Sequence, residues 1–430
     1  MHIHILGIAG SMTAPLALAL KKQGHQVTGS DQDKIYPPFS TQLKNALIPI
    51  NKTEINSRID LAIIGSSYKA FDRTRKEFVR IKQEKIPYIS ATKYIAKNIV
   101  KNNSIIIAGS YGKTTITAAT VFCLTKHGLD PSFMFGGEAK HKLPSLHFGT
   151  SNWSVVEGDE SINGQDTMAK FLYYPVKYLI ITSANWEHRD SYQSEAENLK
   201  AFEKLIKKVP KDGLIIYNPR NKTLRQIIKS AQAPIVAYQA IKHPISLLGQ
   251  YNQQNLGAVE TLCQHLNLPT ATTIAALKNF KGIKRRLDIL AQNKDYLFID
   301  DFAQSPERIA TALKTIRSHF PNWNLKVFYE SHASFMQNKD FVKKLAPVFK
   351  NVTEVVIFKL KINPDPAQRI TAADYLKHIP NSLYIPLTQD LLTHYQKTLK
   401  KGDILVHFSS GGVEGLNTFQ KIINLKTRHV

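Results

Sequence analysis

Residues 105–115, Ile105-Ile106-Ile107-Ala108-Gly109-Ser110-Tyr111-Gly112-Lys113-Thr114-Thr115, pass from an apolar run into a glycine-punctuated turn, and Ile116 to Lys126 continues as a helix. Strand, turn and helix in that order restrict the chain to layered α/β architectures. Gly109 and Gly112 let backbone N–H groups close around phosphate oxygens, and the helix N-terminus adds the positive end of its dipole. Lys113 contributes a point charge and Thr114 a hydroxyl suited to Mg²⁺, so the stretch predicts a nucleoside triphosphate, with Ser110 and Thr115 beside it. Common phosphate loops carry an earlier glycine where Ile107 stands. The residues alone therefore leave two readings, a shortened phosphate loop or a plain strand-to-helix turn. Lys113 is expected to be an exposed charge whose removal costs little stability.

At 430 residues, 43% hydrophobic and 21% charged, the chain is long enough for two or three domains. Its two cysteines, Cys123 and Cys263, each sit in apolar surroundings, which predicts neither a disulfide framework nor a thiolate metal site and suits a reducing cytoplasm. Met1 to Leu20 reads as strand and turn rather than a leader, and no apolar run reaches the ~18 residues of a membrane span. The formal charge of +24 is spread along the chain in Lys-Lys and Lys-x-Lys pairs. Solvated helix faces and attraction for small anions account for that spread, and no nucleic-acid partner is expected.

In chain order, His2 to Gly7 is a strand, Gly7 to Met12 a turn and Thr13 to Gln23 a helix, before a second strand ending at Gly29-Ser30-Asp31. This βαβ unit, with an acidic residue ~20 positions beyond its glycines, has the dinucleotide-domain layout. Gly10 and Ser11 are candidates for holding a nucleotide, and Asp31 is either a ligand contact or a turn residue. With strands Asp60–Gly65 and Ile86–Ile89 and helices Arg73–Glu84 and Ala91–Asn98, residues 1–98 read as one α/β domain. Residues 99–284 form a second, in which strands Trp153–Val156 and Tyr178–Thr182 end in Glu157-Gly158-Asp159-Glu160 and in Glu187-His188-Arg189-Asp190. Carboxylates and a histidine at strand carboxyl ends make a plausible Mg²⁺ site or, read singly, helix caps. Residues 285–430 alternate again, with strand Tyr296–Ile299 followed by Asp300-Asp301 and a helix over Asp340–Val348.

These pieces, in this order, resemble the Mur ligases. Ala108 to Thr115 is similar to the family's short ATP loop, Ala-Gly-Thr-His-Gly-Lys-Thr-Thr, which also lacks the early glycine. Glu157 to Glu160 resembles Glu-Ala-Asp-Glu, Glu187 to Tyr192 resembles Asp-His-x-Asp-x-Tyr/Phe, and Gly249 to Asn255 resembles Gly-x-His-Asn-x-x-Asn. Arg285-Arg286 and Asp300 to Ala303 resemble the segments that open the family's last domain. The N-terminal domain is similar to the branch using UDP-N-acetylmuramic acid, and Tyr36 to Leu43 and Lys170 to Tyr174 resemble members that attach a tripeptide. Departures are Tyr111 for a loop histidine, Gln304 for the histidine after Asp-Asp-Phe-Ala, Ser183 for an asparagine, and Glu330 to Ser334 for Glu-Pro-Arg-Ser-Asn.

The resemblance implies a three-domain α/β enzyme: a Rossmann-like N-terminal domain, a central P-loop ATPase-like domain and a Rossmann-like C-terminal domain. It implies an ATP- and Mg²⁺-dependent amide ligase, cytoplasmic, monomeric or homodimeric, that takes UDP-N-acetylmuramic acid and an amino acid or tripeptide amine. By the same resemblance Thr114, Glu157 and His188 hold Mg²⁺, Lys113 the β/γ-phosphates and Arg286 phosphate charge. Asp301 would meet the ribose and Tyr251, Asn252 and Asn255 the adenine, with Gly10, Ser11 and Asp31 on the UDP-sugar and His332 on the amine substrate. Alternatives are the L-alanine ligase of the same branch and a nucleotide-binding relative without catalysis.

Overall fold

The computed structural model of the chain describes every residue except 187–190, 332–338, 361–368, 410, 412 and 428–430. Between Ile283 and Lys284 the chain divides into two units, Met1–Ile283 and Lys284–Val430. The first holds two sheets. β1 (His2–Leu6), β2 (Gln26–Ser30), β3 (Leu61–Ile64) and β4 (Tyr88–Ser90) pair in parallel in the order β2-β1-β3-β4. Helices α1 (Thr13–Lys22), α2 (Phe39–Asn45), α3 (Asp72–Gln83) and α4 (Ala91–Asn98) connect and cover them. Near-continuous apolar runs such as Leu61–Ile64 suit strands covered on both faces. Ser90 caps α4 by accepting from Lys93 N at 3.1 Å.

The second sheet contains β5 (Asn103–Ala108), β6 (Ser132–Met134), β7 (Leu146–His147), β8 (Trp153–Gly158), β9 (Tyr178–Ile181), β10 (Leu214–Tyr217) and β11 (Ile235–Ala237). Their order is β11-β10-β9-β5-β8-β6-β7, parallel except that β7 runs against β6. Around them lie α5 (Lys113–Lys126), α6 (Glu195–Lys208), α7 (Lys222–Ile227), α8 (Gln250–His265) and α9 (Thr270–Asn279). Because β5 has β8 on one side and β9 on the other, the loops leaving all three open into one crevice at their carboxyl ends. The residues expected as separate domains 1–98 and 99–284 each carry a sheet, and the two share one core in which Ile5, Leu16 and Ile95 belong to the same buried cluster as Ile106, Val156 and Leu179.

The described residues of the second unit contain six strands, β12 (Asp288–Gln292), β13 (Tyr296–Asp301), β14 (Asn324–Glu330), β15 (Glu354–Phe358), β16 (Ser382–Tyr384) and β17 (Asp403–Ser409), ordered β12-β13-β17-β14-β15-β16. β12 is antiparallel to β13, with a register shift between Ile289 and Ala291. Helices α10 (Pro306–His319), α11 (Lys339–Leu345), α12 (Ala372–His378), α13 (Thr388–Thr398) and α14 (Val413–Thr427) complete it. Some boundaries differ from expectation for local reasons. β13 runs through Asp300 and Asp301, because they pair with His407 and Phe408 of β17. The helix expected over 340–348 stops at Leu345 and tightens into a 3₁₀ turn, Ala346–Phe349, since Pro347 has no N–H to continue the ladder. Helix α5 starts at Lys113, earlier than the hydrophobic pattern suggested. Among the described residues no helix is long and apolar enough to cross a membrane.

Candidate active site

The turn between β5 and α5 depends on two glycines in left-handed conformations, Gly109 at φ +123° and Gly112 at φ +80°. Neither has room for a side chain: a Cβ on Gly109 would lie 2.2 Å from Thr182 Oγ1, and one on Gly112 would lie 2.5 Å from Asn255 Oδ1. The loop after β9 clamps this turn. Ser110 N donates to Ser183 Oγ at 2.9 Å, Ser110 Oγ to the Asn185 carbonyl at 2.9 Å, and Thr182 Oγ1 to the Tyr111 carbonyl at 2.6 Å. The turn is braced from the other side by α8, where Asn255 Nδ2 donates to Asn252 Oδ1 at 3.2 Å and Asn252 Nδ2 to the Leu248 carbonyl at 2.7 Å. Asn252 and Asn255 are thus buried supports of the turn, while Tyr251 beside them is half-buried. Thr114 and Thr115 occupy the first turn of α5, where backbone N–H groups lack intrahelical acceptors.

Lys113 is not the exposed charge expected. Its side chain is 13% exposed, and Nζ donates to the Gly109 carbonyl at 2.7 Å and to Glu160 Oε2 at 2.7 Å, with Glu160 itself 1% exposed. Burial alone would lower the ammonium pKa, but Glu160, Asp159 and Glu157 outweigh it and hold Lys113 protonated. Thr114 Oγ1 donates to Glu157 Oε1 at 3.0 Å, and Glu157 Oε2 accepts from Gly136 N at 2.7 Å. Burial pushes the Glu157 carboxyl above its usual range despite Lys113 nearby. Asp159 goes the opposite way: burial would raise it, yet Lys170 and Lys113 hold it well below the carboxylate range. Lys170 Nζ reaches Asp159 Oδ2 and Ser161 Oγ, each at 2.7 Å. Lys113 and Lys170 therefore face a row of carboxylates at the end of β8, directly beside the phosphate-type turn.

The first sheet brings its own turn to the same place. A Cβ on Gly136 would sit 3.6 Å from Glu157 Oε2 and 4.0 Å from Ser11 Cβ, so Ser11 and Glu157 flank one stretch of backbone. Asp31 is buried beneath this turn, its Oδ2 accepting from Ala9 N and its Oδ1 from Gln32 N, both at 2.8 Å. It thereby holds in shape the segment that carries Gly10 and Ser11.

In the second unit, Arg286 is presented by a strained turn, flanked by Arg285 at φ +60° and Leu287 at φ +44°. Asp301 pins it, accepting from Leu287 N at 2.6 Å and from Ala303 N at 2.7 Å. Burial raises the Asp301 pKa even with Arg286 close by. The Arg286 guanidinium lies 5.6 Å from the Phe302 ring centroid. Asp300 binds Arg285 Nε at 3.0 Å and His407 Nδ1 at 2.7 Å, and Glu330 accepts from Ser409 Oγ at 2.9 Å. His188 and His332 lie outside the described residues.

Three family profiles match in succession: the Mur ligase family, catalytic domain, over residues 2–101; the Mur ligase middle domain over 107–254; and the Mur ligase, glutamate ligase domain over 285–411. The chain belongs to the Mur ligase family. It is an ATP-dependent amide-forming ligase of peptidoglycan synthesis. Among its relatives, the UDP-N-acetylmuramate–L-alanine ligase of Desulfitobacterium hafniense is 25% identical over 96% of this chain and 98% of that one. The UDP-N-acetylmuramate–L-alanyl-γ-D-glutamyl-meso-2,6-diaminoheptanedioate ligase of Escherichia coli is 26% identical over 99% of this chain and 98% of that one. In fold, the chain matches the UDP-N-acetylmuramate-alanine ligase of Thermotoga maritima with a TM-score of 0.79 at 20% identity, over 100% of both chains.

Within the Mur ligase frame, sequence reasoning passed over Glu160 as the partner of Lys113, Lys170 as the partner of Asp159, and Thr182, Ser183 and Asn185 as the clamp on the ATP-type loop. The available signal was position: all but Lys170 follow the strands that flank β5, and in a parallel sheet such residues face the crevice. No group of three or more His, Cys, Asp or Glu arranged to hold a metal occurs among the described residues. The Thr114 hydroxyl and Glu157 carboxylate nevertheless supply hard oxygen donors of the type Mg²⁺ prefers.

Proposed function

We propose that this ligase joins the lactyl carboxylate of UDP-N-acetylmuramic acid to the amine of L-Ala-γ-D-Glu-meso-diaminopimelate, as murein peptide ligase does. The reading is carried by the cluster in which Lys113, Thr114, Glu157 and Glu160 meet beside Ser11, since it sets a phosphate-type loop against the turn assigned to the UDP-sugar. The lactyl carboxylate attacks the γ-phosphate of ATP, releasing ADP, and the amine then displaces phosphate from the acyl phosphate. No protein nucleophile is required, so alignment and charge neutralisation carry the rate. Lys113 donates two of its three ammonium hydrogens to Gly109 and Glu160, and the third would serve a phosphate oxygen. Gly109 and Gly112 shape the loop whose N–H groups receive the phosphates, and Asn252, Asn255 and the Thr182–Asn185 segment keep it from relaxing.

Thr114 and Glu157, with His188, would hold Mg²⁺, which when bound offsets phosphate charge and orients its oxygens. By family resemblance Arg286 is assigned to phosphate charge and Asp301 to the nucleotide sugar. A reaction that draws on a UDP-sugar and ATP is proposed as a cytoplasmic one.

Support for a peptide acceptor comes from Tyr36 to Leu43, which resembles the tripeptide-attaching branch, and from the Escherichia coli relative that aligns over 99% of the chain. The Desulfitobacterium hafniense relative favours free L-alanine as a second reading. His332, where arginine-bearing members have a bidentate carboxylate partner, predicts looser acceptor specificity and tighter peptide binding at acid pH. Phosphate release measured with UDP-N-acetylmuramic acid, ATP and either acceptor separates the two. The tripeptide is expected to give the higher kcat/KM, and a large preference for L-alanine would reverse the assignment.

A further inference from the structure

The chain's two cysteines, read from the sequence as unrelated buried thiols, stand against one another. Cys123 and Cys263 are 140 positions apart, both fully buried, and their sulfurs are 3.5 Å from each other. Cys123 lies in the last turn of α5 and Cys263 in the last turn of α8, where helices fray most readily. Thr273, on the neighbouring helix α9, meets His127 Nε2 at 2.9 Å, and His127, one turn beyond Cys123, is only half-buried, so the end of α5 that carries Cys123 lies close to solvent. A disulfide bond is ~2.05 Å long, so the sulfurs need to approach by about 1.5 Å, within the reach of a side-chain rotation and a small shift of two helix ends.

Both helices lead back to the phosphate-type loop. Lys113 and Thr114 open α5, and Asn255, two turns before Cys263, lies against Gly112 without room for a methyl group between them. We propose that Cys123 and Cys263 form a reversible intramolecular disulfide on exposure to peroxide, and that this cross-link restrains α5 against α8 and slows ATP turnover. One thiol gives up its proton, and its thiolate attacks a peroxide oxygen, leaving a sulfenic acid and expelling hydroxide, which takes up that proton as water. The second thiol attacks that sulfur and expels another water, so two thiols are oxidised by two electrons while one hydrogen peroxide is reduced to two waters. The cross-link depends on the side-chain geometry alone, whereas its effect on turnover rests on the reading of residues 109–115 as the ATP loop.

The full chain, reduced and then treated with hydrogen peroxide, is followed by intact mass, peptide mapping, thermal unfolding and ATP turnover. Expected are a loss of about 2 Da, a linked pair of peptides containing Cys123 and Cys263, and a Tm raised by ~3 °C or more. Turnover should fall several-fold and return with dithiothreitol, while Cys123→Ala and Cys263→Ala form no intramolecular link. Two free thiols after treatment, or a gain of oxygen mass without a link, would overturn the site. A fully linked enzyme with unchanged turnover would overturn the coupling. A reduced enzyme that turns over no ATP with any acceptor would instead refute the function proposed above, and the mass and mapping results would still decide the cross-link.

Discussion

Glu160 has more consequence for Lys113 than the lysine's own position in the loop suggests. Removing the lysine takes away the ammonium 2.7 Å from a carboxylate that is 1% exposed, and breaking a buried pair of this kind costs ~3–5 kcal/mol. Lys113→Ala is therefore expected to abolish turnover and also to lower stability, and adding Glu160→Gln should recover most of the stability but none of the activity. Denaturant unfolding of both variants checks this, and equal stability of Lys113→Ala and wild type would show that the pair is not closed in solution. Glu157 makes a separate case, because it holds both Thr114 and Gly136. Glu157→Gln keeps an acceptor for one of them and loses the charge, so the Mg²⁺ concentration for half-maximal activity should rise roughly 10-fold or more. A metal titration that does not move would make Glu157 a brace for the helix. The motif Glu157-Gly158-Asp159-Glu160 was legible as a carboxylate cluster; which oxygen faces which cation was not, because that depends on side chains 43 to 47 residues away.

Loop and helix together explain why the ATP-type turn tolerates no change at its glycines. Gly112→Ala forces a left-handed φ on a residue with a Cβ and drives that Cβ into Asn255, while Gly109→Ala drives one into Thr182 and the Ser183 backbone. Each should cost at least ~1–3 kcal/mol in strain and raise the KM for ATP, with Gly109→Ala the worse because its neighbour includes rigid backbone. Asn255→Gly, which opens the space, should partly rescue Gly112→Ala and do nothing for Gly109→Ala. Melting temperatures and ATP kinetics of the three variants test the assignment of neighbours. The glycine requirement could be read from the spacing of Gly109, Gly112 and Lys113. The clamp on the turn could not, since Thr182 and Ser183 are brought to it by β9 pairing with β5.

On the scale of the whole chain, the second unit carries a buried charge network whose pH response is separable from that of the first. Burial would lower the His407 pKa, but Asp300 and Glu330 raise it, and His407 with Arg285 lowers that of Asp300 against its burial. His407 thus contributes stability that is complete below its unfolded pKa of ~6.5 and is lost as pH rises through its higher folded value. Asp300 contributes stability that is complete above its unfolded value of ~3.9 and is lost as pH falls through its lower folded one. Wild type minus His407→Gln should therefore show a stability difference that declines above about pH 6.5, by at most ~1.4 kcal/mol per pH unit. Trp323, in the second unit, can report its unfolding in a background where Trp153 and Trp186 are replaced by Phe; a pH-independent difference would mean that folding does not shift the His407 pKa.

Strand, turn and helix order, the loop glycines and the carboxylates at strand ends followed from the amino-acid order alone, because hydrophobic period and backbone sterics act over a few residues. The sheet order placing β5 between β8 and β9, the antiparallel β12, the Lys113–Glu160 pair and the meeting of Cys123 with Cys263 awaited the folded chain. Parallel strands pair with neighbours distant in sequence, and such pairing is chosen by the burial and register of the complete core, which no local pattern encodes.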